Sequence, residues 1–168
     1  MRTLTLLPIA GLLLASAGCP PPGSTPGGPT AHTASAKGLV VEMILPRHSF
    51  YRGQIIPIRV VARNTTGRDM VIEADSGALV YIAVWRRATG AWERVRRYPE
   101  AAVMVVRPWK LQAGQAHTFP MNVKVAPDWP TGELLRLTAE LNGRPDVVAE
   151  ATIDVYPTRE AYEKASPQ

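Results

Sequence analysis

The chain has 168 residues, sixteen prolines, a single cysteine and a formal charge of +5. That length supports one domain with appendages, and one cysteine excludes an intrachain disulfide framework. The charge is local. Arg86, Arg87, Arg94, Arg96, Arg97, Arg107 and Lys110 fall in one stretch opposed only by Glu93 and Glu100, and the rest of the chain is near neutral. Such a stretch suits an acidic partner or an anionic surface. A solvated hairpin face is the competing account.

Residues 1–18 have the make-up of an export signal: Arg2, an apolar run over 4–14, then Ala15-Ser16-Ala17-Gly18. The run is too short for a permanent membrane helix. Cys19 follows directly, and Ala17-Gly18-Cys19 resembles the end of a bacterial lipobox, in which the cysteine is the acyl acceptor. Ser16 stands where that pattern usually has leucine, and Pro20 is an unusual successor. An ordinary secretory signal with a stray cysteine is the alternative. Lipidation at Cys19 makes this an exported protein anchored in the cell membrane or outer membrane, its head facing the periplasm or exterior. Residues 20–37, rich in Pro, Gly, Ser and Thr, cannot bury enough apolar surface to order themselves and are expected to be a tether. His32 lies in it and is read as solvated.

The folded head is expected over residues 38–156. Leu39, Val41, Met43 and Leu45 alternate in a first strand, and a loop over 47–53 leads on. Ile56, Ile58, Val60 and Ala62 alternate with Arg59 and Arg63, the pattern of a half-buried strand. Asn64-Thr65-Thr66-Gly67 supplies a turn, and Met70, Ile72 and Ala74 read as its return strand, making an antiparallel hairpin. Residues 79–86 and 92–98 form a second hairpin about the turn Ala88-Thr89-Gly90. Residues 102–106 are a further apolar strand stopped by Pro108. Phe119, Met121, Val123 and Val125 alternate, as do Leu135, Leu137, Ala139 and Leu141. Asn142-Gly143 is a hairpin signal, with Arg144-Pro145 suggesting a loop longer than two residues. Residues 147–155 are the last strand. Residues 159–165 look helical within a polar tail over 157–168.

About eight or nine short strands without intervening helices make an all-β protein. The expected architecture is an immunoglobulin-like antiparallel β-sandwich without the cysteine pair of antibody domains.

Several local patterns occur in order. Asn64-Thr65-Thr66-Gly67 is followed by Ser76-Gly77, by the aromatic stretch from Tyr81 to Trp92, by Trp109 to Phe119 with its turn at Gly114, and by Trp129-Pro130-Thr131-Gly132 leading into Leu141. This arrangement resembles the BsuPI family of bacterial intracellular proteinase inhibitors. The resemblance covers residues 55–141. Ala113-Gly114-Gln115 replaces a Pro-Gly-Glu-like turn, Leu134 stands where tyrosine is common, and Ala78 follows Ser-Gly where glutamine is frequent. It implies a protein partner, a serine protease first, engaged through a loop or sheet edge. An export signal places that partner in the envelope instead of the cytoplasm. The candidate loops are 47–53, 75–78 and 127–132.

The head offers little for catalysis. His48 and Ser49 are adjacent, so in extended chain they point to opposite sides, and a pairing of Ser76 with His117 is the remote enzymatic reading. Asp69, Glu73 and Asp75 lack a ligand-rich loop and are read as solvated surface. No catalytic residue, metal or cofactor is expected, nor nucleic acid as a partner of an exported, tethered protein. The candidate binding surface is Trp85, Arg86, Arg87, Trp92, Arg94, Arg96 and Arg97, with Tyr81, Trp85 and the arginines of the next strand offering an aromatic–cation ladder. The competing account has Trp85, Trp92, Trp109 and Trp129 packing at the core and rim of the sandwich. The functional expectation is a non-enzymatic envelope protein that binds or inhibits a protease. The alternative is a scaffold or adaptor without inhibitory activity.

Overall fold

A computed structural model of the chain describes residues 28–165. The expected signal, Cys19 and the tether as far as residue 27 lie outside the described residues. The chain is all-β, with strands β1 (Thr30–Ala36), β2 (Leu39–Leu45), β3 (Ser49–Tyr51), β4 (Ile55–Asn64), β5 (Met70–Ala74), β6 (Val80–Ala88), β7 (Ala91–Tyr98), β8 (Arg107–Leu111), β9 (Ala116–Lys124), β10 (Leu134–Leu141) and β11 (Arg144–Tyr156), then helix α1 (Arg159–Ala165). They form a four-stranded sheet in the order β1-β2-β4-β9, a five-stranded sheet in the order β3-β11-β10-β6-β7, and the pair β5-β8.

Two-residue alternation sets the inner faces. Leu39, Val41, Met43 and Leu45 of β2 are fully buried, as are Ile56, Val60 and Ala62 of β4 and Leu135, Leu137 and Ala139 of β10. These side chains join those of β6 and β11 in one apolar cluster shared by the two larger sheets. Each fully buried aliphatic side chain contributes about 1.5–3 kcal/mol.

Five local expectations are corrected. The first concerns the tether: Thr30–Ala36 is a strand, paired residue for residue with β2 from Thr30↔Leu45 to Ala36↔Leu39. Among the described residues the first strand therefore begins at Thr30, eight residues before the expected start of the head, and His32 is half-buried. The second concerns the 55–74 hairpin. β4 lies between β2 and β9, with both edges occupied, while β5 pairs with β8. Asn64-Thr65-Thr66-Gly67 thus carries the chain out of the sheet. Fully buried Asn64 secures that exit: its Nδ2 donates to the carbonyls of Arg68 (2.7 Å), Leu111 (3.0 Å) and Gln112 (3.1 Å).

Third, residues 102–106 form no strand; the strand lies just beyond, in β8, where Pro108 is tolerated because β8 pairs on one side only. Fourth, the Asn142-Gly143 connection is two residues long, with Leu141 opposite Arg144 and a bulge at Glu140/Leu141. Pro145 lies inside the strand. Fifth, residues 47–53 contain β3, which runs parallel to β11 through Asp154↔Ser49 and buries Phe50 completely, so the pairing is not wholly antiparallel. The tail helix forms where expected. Tyr162 fixes it, accepting from Arg47 (2.8 Å) and packing against Tyr51 and Tyr156.

Candidate functional site

The hairpin β6–β7 turns at Thr89 and Gly90, both at positive φ, the geometry whose twist suits two-residue hairpins. Farther along, Trp85 pairs with Arg94 but Val84 with Arg96, so Val95 is an extra residue on β7. This bulge distributes the arginines. Arg94 lies 5.9 Å from the Trp85 ring. Arg97 stacks 3.4 Å over buried Tyr81. Arg96 pairs with Glu100 (2.6 Å) and with Asp128, which raises its pKa, Glu100 contributing first. Arg86 pairs with Glu93 (2.9 Å) and Lys110 with Asp69 (2.7 Å). The stretch is therefore a partly neutralised surface: Trp85, Arg87, Trp92 and Arg94 gather at its open end, and Arg97, opposite Ala83, lies on the same face farther along, over Tyr81.

The organiser of that face is a residue that sequence reasoning did not single out. Arg136 on β10 stacks 4.3 Å over Trp92 and 5.7 Å from Trp85, and its Nη1 donates to both carboxylate oxygens of Glu150 at 3.3 Å. Trp85 Nε1 donates to Thr138 Oγ1 (3.0 Å), fixing the indole. Alternation already places Arg136 outward. That it meets Trp92 depends on the order β10-β6-β7, for which the sequence carries no local signal.

A second surface opens elsewhere. A groove of about 530 Å³ lies between the turn at Gly77-Ala78, the segment at 99–103, and Phe119 and Met121 of β9. Gly77 N donates to Val103 O (2.8 Å), holding that segment in place. Val103 lines the groove and is 73% exposed, and Met104 and Val106, which follow it in the chain, are 82% and 74% exposed. Three large apolar side chains next to an apolar groove are unusual on a free surface.

The structure separates the three candidate loops. In 127–132, Trp129 is fully buried, packs against Tyr98, and has its carbonyl held by Arg52 Nε (3.2 Å) and Nη2 (2.7 Å). Residues 47–53 are anchored by Phe50. Only 75–78 borders the groove. Ser76 is buried there, its Oγ bonded to Tyr81 Oη and accepting from Asn142 Nδ2 (2.8 Å). His117 is exposed and packs with Trp109 and Phe119, so the Ser76–His117 pairing is not assembled. Asp69 is engaged by Lys110 and by Ala113 N (3.1 Å), which lower its pKa, Lys110 first. Among the described residues no group of three or more His, Cys, Asp or Glu side chains is placed to hold a metal ion, and no helix is long and apolar enough to cross a membrane.

No family model matches the chain, and no curated protein matches it. Solved structures do. The sporulation control protein Spo0M from Bacillus subtilis is similar with a TM-score of 0.51 and 13% identity, over 76% of this chain and 53% of that one. A β-glucosidase from Listeria innocua in complex with laminaribiose is similar with a TM-score of 0.45 and 12% identity, over 73% of this chain and 16% of that one. The CARDB domain of the PF1109 protein from Pyrococcus furiosus follows with 0.42 and 14%, over 77% and 99%. The chain thus spans about half the length of Spo0M, and at this identity the likeness is one of fold alone.

Proposed function

We propose that the chain is a non-enzymatic, lipid-anchored module of the bacterial cell envelope that binds another protein. Its head is an immunoglobulin-like β-sandwich held off the membrane through Cys19 and the proline-rich segment. The observation that carries the binding reading is the groove beside exposed Val103, Met104 and Val106. Burying those three side chains against a partner is worth several kcal/mol before the cost of association. The 75–78 loop borders this groove, which favours it over the other two loops as a contact element. The resemblance to BsuPI inhibitors makes an envelope serine protease the first partner class.

An adaptor without inhibitory action is the second reading, and a specific observation favours it. Among the described residues neither Arg87 nor Arg94 is ion-paired, and both lie beside the Trp85–Trp92–Arg136 stack.

The experiment is capture from an envelope extract with a soluble fragment of residues 28–168, which retains β1. The paired variants are Val103→Glu with Met104→Glu, and Arg87→Glu with Arg94→Glu. A serine protease that binds the unaltered fragment, loses activity at one-to-one stoichiometry and escapes the first variant supports the inhibitor reading. Partners lost only with the second variant, in a strongly salt-dependent way, favour the adaptor. Capture unaffected by either variant would count against both surfaces.

A further inference from the structure

Strand β1 pairs evenly with β2, but its other attachments differ along its length. Near its C-terminal end, Arg144 Nη2 donates to Ala36 O (3.1 Å), Lys37 pairs with Asp146 (3.6 Å), and Thr65 N and Oγ1 donate to Gly38 O (2.8 and 2.9 Å). Near its N-terminal end the side chain at the junction is His32. It shares the inner face of β1 with Ala34 and Ala36, opposite Met43 of β2. Its ring meets that of His48 edge to face, with centroids 5.1 Å apart. His32 Nε2 is buried without a hydrogen-bond partner. His48 Nδ1 lies 2.8 Å from Thr152 O; a carbonyl only accepts, so that nitrogen carries the proton.

We propose that the His32–His48 contact is an acid-sensitive clasp that holds the N-terminal half of β1 on the body of the protein and releases it on protonation. The groups facing the pair are few. Arg136 from β10 and Glu150 and Thr152 from β11 line the same cavity of about 380 Å³. Arg136 and Glu150 offset one another, so neutral imidazoles leave the cavity without net charge. Protonating His32 places a further positive charge beside Arg136, with one carboxylate to offset the two. Burial first, and His48 second, hold His32 below its ordinary pKa.

The sign follows from that direction. The released strand binds a proton more readily than the docked one, so docking is undiminished above about pH 6.5, the ordinary imidazole value, and weakens as pH falls below it. Release would free the edge of β2 over Glu42–Leu45 and lengthen the connection to the anchor by the four residues Thr30–Thr33, about 13 Å at about 3.3 Å each. That gain in reach rests on the anchored reading above; the clasp itself does not.

Hydrogen exchange of the full chain at about pH 7.5 and about pH 5 tests this directly. After correction for intrinsic rates, amides of β1 should exchange several-fold faster at the lower pH, while those of β10 do not change. His32→Phe keeps a ring at the contact but cannot titrate. His48→Gln keeps a donor for Thr152 O but removes the facing imidazole. His32→Phe should abolish the difference and leave β1 protected at both pH values, whereas His48→Gln, which leaves His32 buried, should only reduce it. Equal protection of unaltered β1 at the two pH values overturns the proposal. So does a pH effect that survives His32→Phe, or loss of protection at both pH values in both variants, which would make the ring pair simple packing.

Discussion

Arg136 and Trp92 sit on strands that do not pair, β10 and β7, and their stack at 4.3 Å bridges the intervening strand β6. The guanidinium thereby acts as a cross-tie over the outer face of the five-stranded sheet. Its other contacts, Trp85 and Glu150, extend the tie to β6 and β11.

Removing this cross-tie should cost more than removing a solvated arginine. Arg136→Ala is expected to destabilise the fold by about 1–2 kcal/mol, through lost stacking as well as lost charge. Arg136→Lys should recover only part of that, because an ammonium cannot lie flat on the ring. A double-mutant cycle with Trp92→Ala, read by denaturant unfolding, should give a coupling of about 0.5–1 kcal/mol. Additive costs would mean that the stack contributes nothing.

Asn64 is the second place where one side chain governs topology. Its amide serves three backbone carbonyls, of Arg68 in the loop after β4 and of Leu111 and Gln112 at the end of β8, and its Oδ1 accepts from Thr66 N (3.0 Å) and Thr66 Oγ1 (2.7 Å). Asn64→Ala should cost about 2 kcal/mol or more, since the carbonyls lose their donor where water does not replace it. Asn64→Asp should be worse at neutral pH, because a carboxylate would face three carbonyl oxygens. Its protonated form can donate, so the gap between the Asp and Ala variants should narrow as pH falls toward 4 or so. Urea melts of the two variants across that pH range measure it.

The same residue explains what could be read from the sequence and what could not. Alternation identifies β2, β4 and β10 almost to the residue, because each buries mainly one face and the period is local; it finds β6, buried on both faces over Val80–Val84, and most of β11, whose first three residues read as loop. Pairing is not local. The Asn64–Gly67 turn reads as a hairpin, but β4 is more stable with β2 and β9 on its two sides, and Asn64 turns the chain away. Residues 102–106 are as apolar as any strand, yet no neighbour pairs with them. The result is the exposed Val103, Met104 and Val106. Residues 30–36 are polar and small, so nothing in their composition suggests the pairing that β2 provides. The candidate site divides in the same way: Trp85, Trp92 and Arg94 were accessible from one hairpin, whereas Arg136 and the His32–His48 pair come together only through strand order.

Two glycines at similar φ should respond very differently to alanine. Gly90 has φ +87° with open space where a Cβ would stand, and Gly143 has φ +84° with its Cβ position colliding with Glu73 O. Gly90→Ala should cost about 1–2 kcal/mol, the strain of a left-handed residue alone. Gly143→Ala adds a clash with backbone, so its cost should exceed that of Gly90→Ala and should loosen β5 against β11. Thermal melts rank the two, and amide exchange in Met70–Ala74 locates the effect. Equal costs would mean that the Gly143 turn shifts freely.

Asp146 provides a pH signature for the other end of β1. Its carboxylate accepts from Arg144 Nε (2.8 Å) and Nη2 (3.2 Å), and Lys37 adds a weaker attraction. Arg144 is the leading cause that holds the carboxyl down to about 2. A carboxyl depressed in the folded state favours folding above its ordinary pKa and loses that contribution as pH falls through the folded value. The pair should therefore persist at pH 4 and dissolve only toward about pH 2, well below the ordinary imidazole pKa of about 6.5. Carboxyl carbon shifts followed by NMR should place the Asp146 midpoint near 2 in the unaltered chain and back toward 3.8 in Arg144→Gln. Because Arg144 also donates to Ala36 O, that variant should loosen the C-terminal end of β1 at neutral pH, where His32→Phe should not. A midpoint unmoved by Arg144→Gln would show that the depression comes from elsewhere in the turn.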